Sequence, residues 1–358
     1  MSKNKIIFIK PSNSSFILTD QKILEKNFLV APYLVKMSKS LLKMISASLK
    51  LFFYLLAKGK GHDLFITWFA DYHAAIISFV GKIYNKKVVV FMGGMDAINY
   101  PKLKKGVFYK KYRGWFVKYA LKNANLILPN HESLIYHENF YYDQNGKKDG
   151  IKYYIPNLKT NIQVIHNGYD VNFFKRDYAI SKVPNLILSI GKTNSRFDVI
   201  NKGFDILVQL ARIDPQLNFV IIGVKDEHKV WLDSTYSISD LKNLKIFSFL
   251  EQQKLFEYYN KAHVYVQASI TEGMPNSLAE AMLFECIPVG SNVNGIPDTI
   301  GNTGIVIKKR SVDDLEEAVN KALKMNTGYL CRKFVLDNFS IEKREKEIHR
   351  ILYEKIIT

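Results

Sequence analysis

Cysteine is nearly missing from this chain: Cys286 and Cys331 are the two examples in 358 residues. Two thiols cannot build a disulfide framework, so a cross-linked secreted scaffold is excluded and a reducing compartment is indicated. Long hydrophobic runs are missing as well. The most apolar region, Phe28 to Ala57, is interrupted by Lys36, Lys39, Lys43 and Lys50. No stretch of about 18 uncharged apolar residues remains, which argues against a membrane-spanning helix. At the start of the chain, the apolar run Ile6 to Ile9 stops at Lys10-Pro11; it is too short for a signal peptide and reads as a first β-strand. Acidic residues are scarce beside basic ones, 33 against 51, for a formal net charge of +18. That excess calls for an anionic partner: nucleic acid, a phosphorylated small molecule or an acidic membrane surface.

Several common motifs are also wanting. No G-x-G-x-x-G follows the first strand, so a dinucleotide fingerprint is absent. Gly191-Lys192-Thr193 resembles the end of a phosphate-binding P-loop, but Leu186 stands where that motif needs glycine. His131-Glu132 and His137 do not have the four-residue spacing that puts two imidazoles on one helical face for zinc. There is no Asp-x-Asp pair for a divalent metal, and the eight histidines read as surface or satisfied core residues.

What the sequence has in plenty is alternation. Hydrophobic residues are 47% and charged residues 23% of the chain, which excludes wholesale disorder, and the length suits two domains of roughly 150 to 180 residues. Short β-branched runs at Leu64–Thr67, Lys87–Phe91, Leu126–Leu128 and Gln163–His166 are separated by helix-length segments. The rhythm resumes at Leu186–Ile190, Asn218–Ile222, Lys245–Phe247, Val264–Gln267 and Ile287–Val289. This pattern predicts parallel sheets covered by helices on both faces. A polar joint around Arg176 to Pro184 divides the chain into a domain over 1–178 and a second over 179–338, followed by an amphipathic helix over 339–358.

The segment richest in chemistry is Ala268-Ser-Ile-Thr-Glu272-Gly-Met-Pro-Asn-Ser-Leu-Ala-Glu280-Ala-Met. A strand runs into a loop carrying Glu272, Pro275 opens a helix, and Asn276 or Ser277 is expected to cap it. A helix start at the carboxyl end of a strand is where an open α/β sheet holds ligands, and its free amides suit a diphosphate. Two carboxylates at different depths of one crevice suit sugar and ribose diols. Taken singly, each glutamate is as well explained as a loop charge or a helix support.

The whole pattern is more specific. It resembles the donor-site signature of retaining family 4 glycosyltransferases. Other stretches follow in that family's order: Val164-Ile-His-Asn-Gly-Tyr-Asp170 with Phe173-Phe174, Leu188-Ser-Ile-Gly-Lys192 with Asn201-Lys-Gly-Phe-Asp205, Pro288-Val-Gly, and Gly295-Ile-Pro-Asp298. In the amino half, Phe91-Met-Gly-Gly-Met-Asp96 and Ala124-Asn-Leu-Ile-Leu-Pro-Asn130 are weaker matches. The resemblance implies the GT-B fold: two tandem Rossmann-like doubly wound domains facing across a cleft, acceptor-binding first and donor-binding second, with the last helix crossing back to the first. It implies transfer from a nucleotide-diphosphate sugar with retention and without a metal or other cofactor. UDP-sugars are the commonest donors of the family, with GDP-mannose next.

Carried over residue by residue, the resemblance gives Lys192 and Lys202 to the departing diphosphate. The first of these positions is usually arginine, and Arg196 stands near as an alternative. Glu280 is expected to hold the ribose hydroxyls. Glu272 and the backbone from Gly273 to Asn276 (Gly273, Met274, Pro275 and Asn276, with amides on all but the proline), continuing into Ser277 and Leu278, are expected to contact sugar and phosphate. Asp96 is expected to orient acceptor or sugar, and Gly93 replaces the family's usual histidine there.

The amino half adds a basic aspect. Lys36, Lys39, Lys43 and Lys50 fall within roughly 60° of one another on a helix turning about 100° per residue, with Leu41, Ile45, Leu49, Phe52 and Leu56 opposite. Residues 102–122 interleave lysines with tyrosines and Trp115. Both stretches, 33–58 and 102–122, are compatible with an anionic lipid interface or with a packed helix and a solvated lysine face. A glycan or lipid-linked acceptor at the cytoplasmic face of the membrane would account for them, and no nucleic acid is then expected. The competing readings are a basic single-strand nucleic-acid binder, another enzyme of the same fold such as an epimerase or phosphorylase, and a non-catalytic scaffold.

Overall fold

The computed structural model describes residues 3–36 and 40–357; Lys39 lies outside them. In chain order the strands are β1 Lys5–Lys10, β2 Leu29–Leu34, β3 Leu64–Trp68, β4 Lys87–Met92, β5 Leu126–Pro129, β6 His137–Asn139, β7 Lys147–Asp149, β8 Asn161–Ile162, β9 Val183–Ile190, β10 Asn218–Ile222, β11 Leu244–Phe247, β12 Ala262–Gln267, β13 Ile287–Ser291 and β14 Ile305–Ile307. They form two six-stranded sheets, ordered β2-β1-β3-β4-β5-β8 and β11-β10-β9-β12-β13-β14, and a small β6-β7 pair. Every pairing within the two large sheets is parallel. Parallel strands are covered on both faces and so need unbroken apolar runs. Ile6, Ile7, Phe8 and Ile9 are accordingly fully buried, as are Val264, Tyr265 and Val266.

The chain divides into two compact units, one of 1–137, 149–168 and 344–358, the other of 138–148 and 169–343. The chain passes into the second unit at 168/169, ten residues before the joint read from the sequence. The polar segment after it is part of the second unit because Arg176 is buried there: its guanidinium donates to Asn260 Oδ1 at 2.7 Å and to the Ile180 carbonyl at 2.7 Å. The final segment is also not one continuous helix from Phe339. A helix ends at Phe339, Ser340 bridges to Tyr169, and a new helix spans Ile341–Leu352.

Most of the expected strands appear in place. The run at Gln163–His166 does not: the strand is Asn161–Ile162, although the amides of Gln163 and Ile165 continue along β5 to the Ile127 and Pro129 carbonyls at 3.0 and 2.9 Å. β2 was hidden by Pro32 and by side chains that are mostly part-exposed, both features of an edge strand.

One buried ion pair holds the first unit together. Arg344 sends Nε and Nη2 to the two oxygens of Asp20 at 2.6 and 2.7 Å, and Nη1 to the carbonyls of Ile165, at 3.1 Å, and His166. Trp68 Nε1 donates to the same carboxylate at 2.9 Å. Asp20 is 0% and Arg344 4% exposed. Removing one partner leaves an uncompensated buried charge, so Arg344→Ala is expected to lose about 3–5 kcal/mol of stability in urea unfolding.

Candidate functional site

The strand order of the second sheet reverses direction between β9 and β12: from β9 the chain builds outward to β10 and β11, and from β12 outward to β13 and β14. The crevice outside the carboxyl ends of such a pair is where open α/β sheets bind ligands. Gly191-Lys192 follows β9 there, and Glu272 lies on the loop that follows β12.

Lys202 reaches this crevice because of the helix Arg196–Asn201. Ser195 caps that helix, its Oγ accepting from the Asp198 amide at 3.3 Å while Asp198 accepts from Ser195 Oγ at 3.0 Å. Lys202 follows the helix, and Gly203 then adopts a left-handed φ of 73°. A Cβ on Gly203 would lie 2.4 Å from the Ala268 carbonyl oxygen, and one on Gly191 2.9 Å from Cδ of Lys202. These two glycines leave the lane along which the lysine stem runs. Its Nζ pairs with Glu272 Oε1. The same oxygen accepts from Ser269 Oγ at 2.9 Å and Gln267 Nε2 at 3.4 Å, while Asn294 Oδ1 receives the Glu272 amide at 3.1 Å.

The helix Asn276–Leu283 starts beside this pair, with Pro275 as its buried N-cap residue. The expected capping by Asn276 or Ser277 is not what their side chains do. Asn276 Oδ1 accepts from Tyr169 OH at 3.0 Å. Ser277 Oγ accepts from Tyr265 OH at 2.8 Å and sits 3.3 Å from the Ile190 carbonyl and from Gln267 Oε1. Both residues thus lock the helix onto the sheet. Gly273 is held by its carbonyl, which accepts from the Gly295 amide at 2.9 Å. Met274 and Leu278 belong to the core, at 5% and 0% exposure.

Glu280 lies one turn further in. Its Oε2 accepts from Tyr259 OH at 3.0 Å, and burial pushes its pKa up to about 7, against the lowering effect of that one hydrogen bond. Burial also raises both tyrosines, Tyr259 and Tyr265, so each remains a protonated donor. Tyr259 reaches the Ser277 carbonyl at 3.4 Å, and Tyr265 reaches Gln267 Oε1 at 3.1 Å. A polar chain therefore runs from Glu280 through Tyr259, Ser277, Tyr265 and Gln267 to Glu272 and Lys202. The structure brings Glu272, Lys202, Ser277 and Glu280 into one connected network. Lys192 and Arg196 are exposed nearby in sequence, and among the described residues neither forms an ion pair.

Asp96 belongs to the other unit. It is buried, and its oxygens accept from the amides of Ala70 at 3.0 Å, Gly94 at 3.1 Å and Gly93 at 3.3 Å. Burial raises its pKa to about 6 despite those bonds. Its carboxylate borders a cavity of about 320 Å³ lined also by Ser12, Phe69, His73, Met95 and Arg113. This cavity lies past the carboxyl ends of β1 and β3, the reversal point of the first sheet. Phe69 is left-handed at φ 64°, and a Cβ on Gly93 would stand 2.7 Å from its ring. The ring takes the space that a side chain at Gly93 would need. Sequence reading missed Asp71, which pairs with Arg113 and caps the helix Tyr72–Ile83, and it missed buried His73, whose pKa desolvation lowers. An Asp preceding a helix was the available signal; nothing in the sequence showed that Arg113 would meet it.

Known proteins share the fold. Solved structures of the same two-unit fold include sucrose-phosphate synthase from Thermosynechococcus elongatus (TM-score 0.74, 14% identity, 98% of this chain and 99% of that one). The catalytic domain of starch synthase IV from Arabidopsis thaliana is similar (TM-score 0.73, 12% identity, 100% of both chains). So is Anabaena Alr3699/HepE in complex with UDP and glucose (TM-score 0.70, 14% identity, 98% and 99%). The fold is thus an α/β GT-B-like arrangement of two parallel-sheet units. Residues 170–335 match the family Glycosyl transferases group 1, and this span lies within the second unit. One subunit of human phosphatidylinositol N-acetylglucosaminyltransferase is 27% identical over 176 residues, 44% of this chain and 36% of that protein. Its Arabidopsis thaliana counterpart is 24% identical over 132 residues, 36% and 29% respectively. The chain spans about a third of the length of these curated relatives.

Glu280 supplies a test of the local electrostatics. The folded state holds its proton up to about pH 7, against an ordinary value of 4.5. The folded protein binds more protons than the unfolded chain between these values, so stability falls as pH rises through the window, by roughly 3 kcal/mol at most. Glu280→Gln is expected to be about 1–3 kcal/mol more stable than the parent above pH 7 in urea unfolding, the gain fading towards pH 4.5.

Proposed function

We propose that the protein is a retaining, metal-independent glycosyltransferase that moves a sugar from a nucleotide-diphosphate donor, a UDP-sugar first and a GDP-sugar next, to a lipid-linked or surface-polysaccharide glycan. The observation that carries this reading is the network joining Lys202, Glu272 and Glu280 at the reversal point of the second sheet, inside the segment that matches Glycosyl transferases group 1.

The bond between the anomeric carbon and the diphosphate oxygen breaks, the bond to the acceptor oxygen forms, and the acceptor proton leaves with the diphosphate. The leaving group gathers negative charge, which preorganised cations stabilise. Lys202 is the cation already aimed at the crevice, and donor binding exchanges its partner: phosphate takes the ammonium, and a sugar hydroxyl takes Glu272. Lys192 and Arg196, both exposed in the segment that follows β9, supply further charge; Lys192 does so as a point charge without arginine's bidentate fork. Glu280, ionised above about pH 7, accepts from the ribose hydroxyls. In the first unit, Asp96 shapes the acceptor end through the loop amides it holds. The nucleic-acid alternative explains the charge of the chain and none of these carboxylates.

Lys202→Ala is expected to lower turnover by roughly 2–4 kcal/mol of transition-state stabilisation, with chelator leaving the parent enzyme unchanged. A thermal-shift screen against UDP, GDP and ADP is expected to raise Tm for one of them, as ligand binding to the folded state requires. A parent-like turnover in Lys202→Ala together with no response to any nucleotide defeats the reading.

The acceptor sits at a membrane surface, on the cytoplasmic face. The helices Leu41–Lys58, Tyr72–Ile83 and Lys111–Asn123 pack side by side, Phe52 on Phe79 and Ala75 against Ala120. The first of them meets the core through Leu51 and Leu55. Leu41, Ile45 and Leu49 of the stripe expected opposite the lysines face solvent instead, joined by Leu42 and Phe53. Ile83 and Trp115 are exposed on the other two helices, and Lys43, Lys50, Lys82 and Lys118 are exposed on the same three. A solvent-facing apolar helical stripe accompanied by lysines is the pattern of an interfacial contact with anionic lipid. The curated relatives are named for a phosphatidylinositol acceptor, which fits. Among the described residues no helix is long and apolar enough to cross a membrane. Flotation with phosphatidylglycerol-containing liposomes at low salt is expected to carry the parent protein and to fail for Leu49→Asp combined with Phe53→Asp; equal flotation of both, or of neither, overturns the contact.

A further inference from the structure

The sequence spacing of His131, Glu132 and His137 gave no metal site, but the fold supplies a different third member. β5 ends at Pro129, and the segment after β8 runs beside it, the Ile165 amide donating to the Pro129 carbonyl at 2.9 Å. His131 and His166 are thereby placed beyond the ends of neighbouring chain segments, with their ring centroids 5.9 Å apart. Glu132 Oε2 stands 3.7 Å from the Nε2 atom of each, and the three candidate ligand atoms all lie within 4.8 Å of one another.

We propose that His131, Glu132 and His166 bind a divalent zinc ion. Two imidazole nitrogens and one carboxylate oxygen favour zinc over the oxygen-seeking magnesium and calcium. Bonds of about 2.0–2.1 Å set tetrahedral zinc ligands about 3.3 Å apart, a few tenths of an ångström tighter than the two contacts to Glu132. The closing movement falls to the side chains able to make it: Glu132 and His166 are 64% and 39% exposed, whereas the His131 side chain is 6% exposed and fixed.

The two histidines stand differently: His131 must exchange a ring hydrogen bond to bind, whereas His166 is held from its backbone. His131 Nδ1 lies 3.0 Å from Ser133 Oγ, which accepts the ring proton once zinc holds Nε2, the usual outer-shell arrangement. In the zinc-free ring the same nitrogen accepts from the Ser133 amide at 3.2 Å; zinc exchanges that neutral hydrogen bond for a metal–nitrogen bond. The backbone of His166 is held by the buried Arg344, which donates to its carbonyl and is itself clamped by Asp20. The ion would tie the end of β5 to the segment that leads out of the first unit at Gly168. It takes no part in sugar transfer, and the site stands whether or not the transferase reading does.

The test is calorimetric titration of the full chain with zinc chloride, with magnesium chloride as control, beside His166→Ala and Glu132→Gln. The parent is expected to bind one zinc ion and to gain in Tm, with magnesium silent. Each variant is expected to lose at least about tenfold in zinc affinity, given that loss of an outer-shell partner alone costs that much. Both substitutions fall on exposed side chains, so folding is preserved; His131→Ala would remove a turn cap and is avoided. Cobalt bound by the parent is expected to give the visible absorption of a four- or five-coordinate nitrogen–oxygen site. Absence of zinc uptake by the parent, or uptake undiminished in the two variants, overturns the proposal.

Discussion

Parallel pairing is the constraint on which everything else in this molecule rests. A sheet covered on both faces has little room for charged side chains along its strands, so charge is driven to the strand ends. Only where strand order reverses do two neighbouring strands send their following loops apart and leave a crevice. Both large sheets have such a point, between β1 and β3 and between β9 and β12, and both gather carboxylates there. The two points are furnished differently. Asp96 is wrapped by three backbone amides and acts as a fastener for its loop. Glu280 accepts from one phenol among the described residues and has accepting capacity left over.

The glycines around the second crevice show how the loop sequence serves the same end. Gly191 and Gly203 carry no function of their own; they keep clear the path of the Lys202 stem and the close approach of the Ala268 backbone. The lysine is consequently directed by backbone packing rather than by the flexible reach of its own methylenes, and it meets Glu272 as a half-buried pair. Both members of this pair keep some contact with solvent, and neither is sealed away as the Asp20–Arg344 pair is.

Much of the fold was legible because the central strands are apolar runs with one structural solution. Ile6 to Ile9, Leu186 to Ile190 and Val264 to Gln267 could be read from hydrophobicity alone. Edges were harder: β2 contains Pro32, and β14 has three residues. The segment from Glu272 to Glu280 was legible as a motif, but what its polar residues do was not. Asn276 and Ser277 have the right chemistry to cap a helix and instead bind Tyr169 and Tyr265, because tertiary partners outcompete local ones. Pairings across long sequence separations, such as Asp71 with Arg113 or His131 with His166, leave no local trace at all. The solvent-facing stripe of Leu42, Leu49 and Phe53 was also out of reach, since periodicity says that a helix has an apolar face and does not say which of two such faces the core will take.

The clamp between Asp20 and Arg344 carries a consequence for the order of events during synthesis. Its two members are 324 positions apart, so the acidic one leaves the ribosome long before its guanidinium exists. Until then the first unit has a carboxylate in its interior with only the Trp68 indole to serve it, and its sheet is an incomplete body. The second unit is almost continuous in the chain and needs nothing made later than its own last helix. The half that emerges first is therefore the half that finishes last, and the nascent protein depends on being kept from misassociation until its final turns of helix arrive.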